Sequence, residues 1–277
     1  MLDSFHIDDI ISAALKEDMP FGDITTDSLI DDGSMSIAQI IARENGIIAG
    51  LYIAKRVFEL LDASTDFEPK TCEGARVRRG DIVAAIEGRT KTLLRGERTA
   101  LNFLQRLSGI ATMTDEFCSS VRDLPVKITD TRKTAPGLRL LEKYAVRVGG
   151  GYNHRLSLSD GVLIKDNHIK AAGGIKNAVE LVRKRIPHTV KIEVETETLI
   201  QVREALEAGA DIIMLDNMGI DMMREAVRMI DRRALVEASG NISLENVRDV
   251  AATKVDIISI GKITHSARSL DLSMKFL

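Results

Sequence analysis

The chain has 277 residues, and its 44% hydrophobic content is enough to bury a sizeable core, which argues against disorder. Its 38 Lys and Arg residues against 41 Asp and Glu residues give a formal net charge of −3. Proteins that coat nucleic acid or bind anionic membranes normally carry a basic excess. We therefore expect neither nucleic acid nor membrane as a partner, and any anion must be bound by a local cluster of cations.

Cysteine content and the N-terminus indicate where the protein works. Cys72 and Cys118 are the only two cysteines, which excludes a disulfide framework and favours a reduced, cytoplasmic setting. The longest uncharged apolar stretch, residues 46–54, is far shorter than the ~18 residues of a membrane span. Signal peptides begin with a positively charged region, whereas this chain begins with the acidic residues Asp3, Asp8 and Asp9. We expect a soluble cytoplasmic protein.

The first part of the chain predicts a mixture of helix and strand. Apolar residues from Ile7 to Leu15 recur at helical spacing, and Pro20 ends that pattern. Residues 34–94 alternate or form short apolar runs between glycines, which predicts β-structure. A long helix is predicted over residues 98–121.

The second part of the chain has a regular pattern of short apolar runs separated by helical segments. The runs cover residues 126–129, 162–164, 190–194, 212–215, 234–238 and 256–260. The last four begin at a fixed step of 22 residues (190, 212, 234, 256), which is typical of repeated βα units. Strands that are apolar on both faces and alternate with helices form parallel sheets. We predict an irregular TIM-like α/β barrel with six strands, or with seven if one strand lacks a recognisable apolar run.

A polar or charged residue terminates each predicted strand. In a parallel barrel all these ends open on one face, where such enzymes build their active sites. Each residue alone also suits a helix N-cap, but six in register favour a site. The residues are Asp130, Lys165, Glu195, Asp216, Ser239 and the pair Gly261 and Lys262.

Residues 127–170 are basic, with nine Lys or Arg against four Asp or Glu. Some of these cations have helical spacing and fit a solvated helix face equally well. Arg132 and Lys133 instead follow a strand end, and His154 and Arg155 lie in a loop after three glycines. Because guanidinium groups bind carboxylates and phosphates bidentately, this set predicts a site for a small polyanion.

Two further features predict phosphate and metal binding. Ser239, Gly240 and Asn241 follow one strand, and Gly261 with Lys262 follows the next; small residues there let backbone N–H groups approach a phosphate. The same glycines also suit tight turns. Glu195 and Asp216 at adjacent strand ends fit Mg²⁺, which takes one or two carboxylates plus substrate oxygens.

Several stretches resemble the quinolinate phosphoribosyltransferase family. The similarity extends over essentially the whole chain, and its motifs lie at residues 22–26, 97–102, 129–139, 149–155, 164–168, 215–218 and 237–242. The resemblance implies conversion of quinolinate and phosphoribosyl pyrophosphate to nicotinate mononucleotide, pyrophosphate and CO₂ in NAD biosynthesis, with Mg²⁺ and no organic cofactor. It also implies an N-terminal α/β sandwich (1–105), a barrel (106–268), a C-terminal tail returning to the first domain (269–277), and a homodimer or higher homo-oligomer with a shared site.

The resemblance also implies roles for individual residues. Arg132, His154, Arg155 and Lys165 would bind the quinolinate carboxylates, with Thr131 beside them. Arg98 would come from the partner chain. Catalytic roles would fall to Lys133 near the reacting centre and to Glu195 and Asp216 near metal and ribose, while 239–241 and 261–262 would surround the 5′-phosphate.

Three alternatives stay open at this point. A related phosphoribosyltransferase takes a monocarboxylate such as nicotinate and releases no CO₂, but the number of arginines favours a dicarboxylate. A second relative occurs with molybdate-transport proteins. From another class, the chain could be a non-catalytic anion-sensing barrel, although carboxylates facing cations at consecutive strand ends suit catalysis better.

Overall fold

The computed structural model describes residues 4–277, so residues 1–3, including Asp3, lie outside the described part. The chain divides into two compact units. The first contains the residues up to Asp115 together with Thr134–Gly150 and Thr264–Leu277, and the second contains Glu116–Lys133 and Gly151–Ile263. The domain boundaries expected at residues 105 and 268 stay a prediction.

The helices and strands follow one another in a mixed order. Up to residue 120 they are α1 Ser4–Asp18, α2 Ile24–Leu29, β1 Met35–Ala42, β2 Gly46–Ile47, α3 Leu51–Leu61, β3 Asp66–Pro69, β4 Arg76–Val77, β5 Ile82–Arg89 and α4 Thr90–Ser120. The rest are β6 Lys127–Thr129, α5 Arg139–Val148, β7 Val162–Ile164, α6 Asp166–Ala172, α7 Ile175–Arg183, β8 Ile192–Thr196, α8 Leu199–Glu207, β9 Ile212–Asp216, α9 Ile220–Ile230, β10 Leu235–Ser239, α10 Val247–Ala251, β11 Ile257–Ser259, α11 Lys262–His265 and β12 Leu272–Phe276.

The first unit is built on an antiparallel sheet with strand order β12-β1-β5-β3. Strand β1 alternates as expected, and Ala38, Ile40 and Ala42 are fully buried. The predicted N-terminal helix is confirmed as α1, which buries Ile7 and Ile11. The last strand, β12, pairs with β1, so the C-terminal residues complete this sheet.

The prediction of β-structure throughout residues 34–94 is wrong for α3, which interrupts it. This helix buries Ala54, Val57 and Phe58 on one side. Its beginning is fixed by Glu73, whose carboxylate accepts the backbone N–H groups of Gly50 (3.0 Å) and Leu51 (2.6 Å). A side chain distant in sequence thus accepts the helix N–H groups that no neighbouring residue pairs with. The start of α3 could therefore not be predicted from the residues around it.

Helix α4 begins at Thr90, eight residues before the predicted start at 98. Gly96 weakens the helical signal in this turn, because glycine is a poor helix former. The structure explains its presence: a Cβ at Gly96 would overlap the ring of Phe58. Gly109 in the same helix lies equally close to the main chain of Arg268, so α4 can pack tightly within the first unit at both positions.

The second unit confirms the predicted parallel sheet. Its six strands have the order β6-β11-β10-β9-β8-β7, and all five pairings are parallel. The predicted strands all form, but three of them extend to include their polar ends, at Thr196, Asp216 and Ser239. Asp216 and Ser239 are half-buried there, and the fully buried Thr196 donates its hydroxyl to the Met214 carbonyl at 2.9 Å.

A seventh extended segment lies beside β6 but is too short to be a strand. Tyr152 makes a single parallel bridge with Thr129, its N–H donates to the Ile128 carbonyl at 2.8 Å, and its carbonyl accepts from Asp130. Glycine-rich sequence on its N-terminal side explains why no apolar run marked this segment. Within residues 4–277, no helix has both the length and the apolar composition needed to span a membrane.

Candidate active site

The register of the parallel sheet aligns polar residues along its carboxyl edge. Thr129 lies beside Ser259, Ser259 beside Ser239, and Ser239 beside Asp216. Glu195 lies on the adjacent strand, paired with Met214. Five strands therefore present hydroxyl or carboxylate groups toward one edge of the sheet.

Two buried glutamates lie one layer deeper in the same sheet. Glu193 and Glu237 are 4% and 1% exposed, and each precedes a strand-end residue by two positions, so it points to the same face as that residue. The Nε2 atom of His154 lies 3.0 Å from Glu193 Oε2 and 3.6 Å from Glu237 Oε1. Burial, followed by the nearby charge of Glu193, raises the pKa of Glu237 to about 7.

The loop that carries His154 is held by Asp130, which is fully buried. Its carboxylate accepts the His154 backbone N–H at 2.8 Å and the Asn153 amide at 2.7 Å. The Arg155 backbone N–H donates to His154 Nδ1 at 2.8 Å. Since Nδ1 accepts a hydrogen bond, the ring proton belongs on Nε2, facing the two glutamates.

Arg132 and Arg155 are close enough to affect one another. Burial and the Arg132 charge lower the pKa of Arg155, whereas Glu193 opposes that shift. Arg155 Nη1 donates to the Gly161 carbonyl at 2.8 Å. The Nε atoms of both arginines are buried and make no hydrogen bond within residues 4–277. Two buried guanidinium donors side by side are suited to a ligand with carboxylates.

Lys165 and Glu195 form an ion pair at the ends of β7 and β8, and both are half-buried. Lys165 also starts α6, where its N–H donates to His168 Nδ1 at 3.0 Å. Lys133 is exposed and its N–H donates to Thr131 Oγ1 at 3.0 Å, which forms a turn directly after the Asp130 strand end.

The predicted phosphate loop has a strained backbone. Asn217, Gly240 and Asn241 have φ values of 55°, 88° and 51°, in the left-handed region. Asn241 Nδ2 donates to Asn217 Oδ1 at 2.9 Å, and a Cβ on Gly240 would overlap that same oxygen. Glycine is therefore required at 240 for both conformation and space.

The remaining predicted residues lie at separate places in the chain. Gly261 is half-buried and Lys262 exposed, where the chain leaves β11 and enters α11. Arg98 is exposed on α4 in the first unit. The second unit thus contains two groups of predicted residues in mutual contact: Arg132, His154 and Arg155 form one, and Lys165 with Glu195 forms the other.

The predicted metal ligands fit a hard cation chemically. Glu195 and Asp216 are half-buried carboxylates at neighbouring strand ends. Asp216 Oδ2 accepts from Asn217 Nδ2 at 2.9 Å, a hydrogen bond that orients the carboxylate. Oxygen donors that leave room for substrate oxygens are what Mg²⁺ prefers.

Sequence reasoning missed the deeper layer, Glu193 and Glu237, and assigned no role to Asp130. The available signal was a charged residue inside a strand that is apolar on both faces, as in the runs 190–194 and 234–238. Such a charge is seldom fully buried unless it is paired, so it indicates a partner at the same edge.

Comparison with known proteins identifies this arrangement as that of a phosphoribosyltransferase. Family models for the N-terminal and C-terminal domains of quinolinate phosphoribosyl transferase match residues 23–108 and 110–275. The chain belongs to the quinolinate phosphoribosyltransferase family.

Individual relatives cover nearly the whole chain. A probable nicotinate-nucleotide pyrophosphorylase [carboxylating] from Bacillus subtilis is 48% identical over 93% of this chain and 89% of its own length. The corresponding protein of Synechocystis is 47% identical, over 97% and 92%. The crystal structure of NadC from Streptococcus pyogenes is 45% identical, with a TM-score of 0.96 over 100% of this chain and 99% of that one.

Proposed function

We propose that the carboxyl edge of the parallel sheet is the active site for the reaction of this family. The protein is a quinolinate phosphoribosyltransferase, a decarboxylating pentosyltransferase that converts quinolinate and phosphoribosyl pyrophosphate in NAD biosynthesis. The products are nicotinate mononucleotide, pyrophosphate and CO₂. The observation that best supports the location is the proximity of the half-buried Arg132 and Arg155, whose Nε atoms are buried, to each other and of Arg155 to the Glu193 carboxylate.

We assign quinolinate binding to Arg132, Arg155 and Lys165. Bidentate pairing with two carboxylates fixes the plane of the pyridine ring. The role first expected of His154, binding a carboxylate, stays a prediction; its two ring nitrogens face the Arg155 main chain and the buried glutamates. We propose that it supports Arg155 and that Thr131 shapes the turn presenting Arg132 and Lys133.

Transfer requires the ring nitrogen and the anomeric carbon of the ribose to meet in line, which supplies much of the acceleration. As pyrophosphate leaves, positive charge develops on the ribose, and the Glu195 and Asp216 carboxylates stabilise it. Lys133 lies near the reacting centre in this assignment. Once ribosylated, the pyridine ring is cationic and stabilises the electron pair left on the ring carbon when CO₂ departs, and that carbon then takes up a proton to give nicotinate mononucleotide.

Mg²⁺ is part of the proposal, held by Glu195 and Asp216, and when bound it neutralises charge on the pyrophosphate. We place the 5′-phosphate at residues 239–241 and 261–262, supported by the strained loop around Gly240. We further propose a homodimer, or a higher homo-oligomer, in which Arg98 reaches the partner's site; its exposure on α4 is consistent with that role. We also propose domain boundaries near residues 105 and 268 and a cytoplasmic location.

The test is an assay with quinolinate, phosphoribosyl pyrophosphate and Mg²⁺, with quinolinate labelled in the carboxyl group next to the ring nitrogen. Equal yields of pyrophosphate and labelled CO₂ are expected. Pyrophosphate without CO₂ would favour a monocarboxylate enzyme, and no turnover would favour an anion sensor. Mixing inactive Arg98→Ala and Glu195→Gln subunits should restore part of the activity if sites are shared between chains.

A further inference from the structure

The buried pair Glu193 and Glu237 is not used by the reaction as described above. Both carboxylates are buried next to His154, and each has one oxygen, Oε1, that is buried without a hydrogen bond within the described residues. Burying one carboxylate is costly and burying two adjacent ones more so, unless they are paired. Because two adjacent buried carboxylates lower the stability of the fold, their presence indicates a functional role.

The contacts of His154 show what the pair can do. Nε2 faces Glu193 at 3.0 Å and Glu237 at 3.6 Å, and Nδ1 accepts the Arg155 N–H at 2.8 Å. The imidazole therefore connects the acid pair to the main chain of Arg155. An acceptor at Nε2 fixes the tautomer in which Nδ1 carries the lone pair, and only that tautomer can hold the Arg155 N–H.

A divalent metal is the competing occupant. His154, Glu193 and Glu237 offer ligand atoms within 4.8 Å of one another. However, two arginine charges lie beside this cluster, since Arg155 interacts with both Arg132 and Glu193. Positive charge next to the cluster disfavours a second cation, whereas it compensates buried carboxylates.

We propose that Glu193 and Glu237 are positioning residues for quinolinate: they orient the His154 ring, which in turn holds the Arg155 main chain so that its guanidinium meets the substrate carboxylate. Glu193 is the stronger acceptor, because it is nearer to Nε2. The charge of Glu193 is one of the causes that raise the pKa of Glu237, which agrees with this division. The inference rests on the proposed role of Arg155.

The experiment compares Glu193→Gln and Glu237→Gln with Glu204→Gln, an exposed helix position, as the matched control. We expect the KM for quinolinate to rise at least tenfold in Glu193→Gln and by a smaller factor in Glu237→Gln. The KM for phosphoribosyl pyrophosphate should change less than twofold in both. Glu204→Gln should behave like the wild type.

A second measurement separates positioning from general loosening of the fold. The ¹⁵N ring signals of His154 should report the Nε2–H tautomer in the wild type and a mixture of tautomers in Glu193→Gln. Combining Glu193→Gln with Arg155→Lys should raise the quinolinate KM by less than the product of the single effects.

Three results would overturn the proposal. They are an unchanged quinolinate KM in folded Glu193→Gln, an equal rise in KM for both substrates, or stoichiometric binding of Zn²⁺ or Mn²⁺ that Glu237→Gln abolishes. If the proposed function itself were wrong, the wild type would not turn over quinolinate. The tautomer of His154 could still be measured, so the two failures can be distinguished.

Discussion

Lys165 and Glu195 lie in direct contact, although one is assigned to an anionic substrate and the other to a cation. The two side chains neutralise each other across the ends of β7 and β8. Under the proposed roles, binding of quinolinate and of Mg²⁺ with phosphoribosyl pyrophosphate would exchange this internal ion pair for two external ones.

Replacing Lys165 should impair quinolinate use directly. A charge-assisted hydrogen bond contributes about 1.5–3 kcal/mol, so Lys165→Ala should lower kcat/KM for quinolinate by about tenfold to 100-fold. Steady-state kinetics measures this. Lys170→Ala is the control, because Lys170 is an exposed lysine that pairs only loosely with Asp166 at 3.3 Å. Similar kinetics for the two variants would contradict the assignment.

Removing one guanidinium of the half-buried Arg132 and Arg155 pair should also impair quinolinate use. Arg132→Ala should reduce kcat/KM for quinolinate by more than tenfold, which is about 1.4 kcal/mol, because one substrate carboxylate loses its partner. Arg203→Ala, on the exposed side of α8, serves as the control. If Arg132→Ala stays within tenfold of the wild type, the pocket does not orient the diacid.

The phosphate loop can be tested with a pair of glycines. Gly240→Ala should raise the KM for phosphoribosyl pyrophosphate, because the new methyl group overlaps Asn217 and displaces the loop. Gly209→Ala is the matched control, since Gly209 also has a positive φ, 78°, but faces open space. Both variants acquire backbone strain, so equal KM values would show that the overlap has no consequence for substrate binding.

Packing of α4 in the first unit predicts a stability effect away from the site. Gly109→Ala should lower the free energy of unfolding by about 1–3 kcal/mol, since its Cβ would meet the Arg268 main chain. Chemical denaturation followed by circular dichroism measures the change. Gly33→Ala, where nothing lies within 4 Å of the added carbon, should be close to neutral.

Glu237 predicts a pH dependence of stability. Its folded pKa is about 7 against an ordinary 4.5, so the folded state keeps a proton that the unfolded chain releases. The free energy of unfolding should therefore fall between pH 4.5 and about 7, by up to roughly 3 kcal/mol at 1.4 kcal/mol per pKa unit. Glu193, His154 and Ser259 face this carboxyl and contribute to its pKa.

Glu237→Gln should remove this slope, because the amide does not titrate. Denaturation of both proteins at a series of pH values gives the comparison. Two stability curves that run parallel from pH 4.5 to 7 would mean that Glu237 is charged in the folded protein.

Most of the second unit could be predicted from the sequence. Buried parallel strands need apolar residues on both faces, and this requirement leaves the repeating pattern from Val162 to Ser259. Strand ends were also recognisable, since polar residues such as Glu195 and Asp216 follow apolar runs. The register of the sheet then places these ends along one edge.

Local and periodic features such as these can be predicted from the sequence, because hydrophobic spacing depends on neighbours a few residues away. The start of α3 depends instead on the folded chain, since its cap comes from Glu73, 22 residues beyond Leu51. Likewise, His154 meets Glu193 and Glu237 from three different parts of the chain. Hydrogen bonds and charges act over a few ångströms in space, whatever the separation in sequence, so these partners become visible only once the chain is folded.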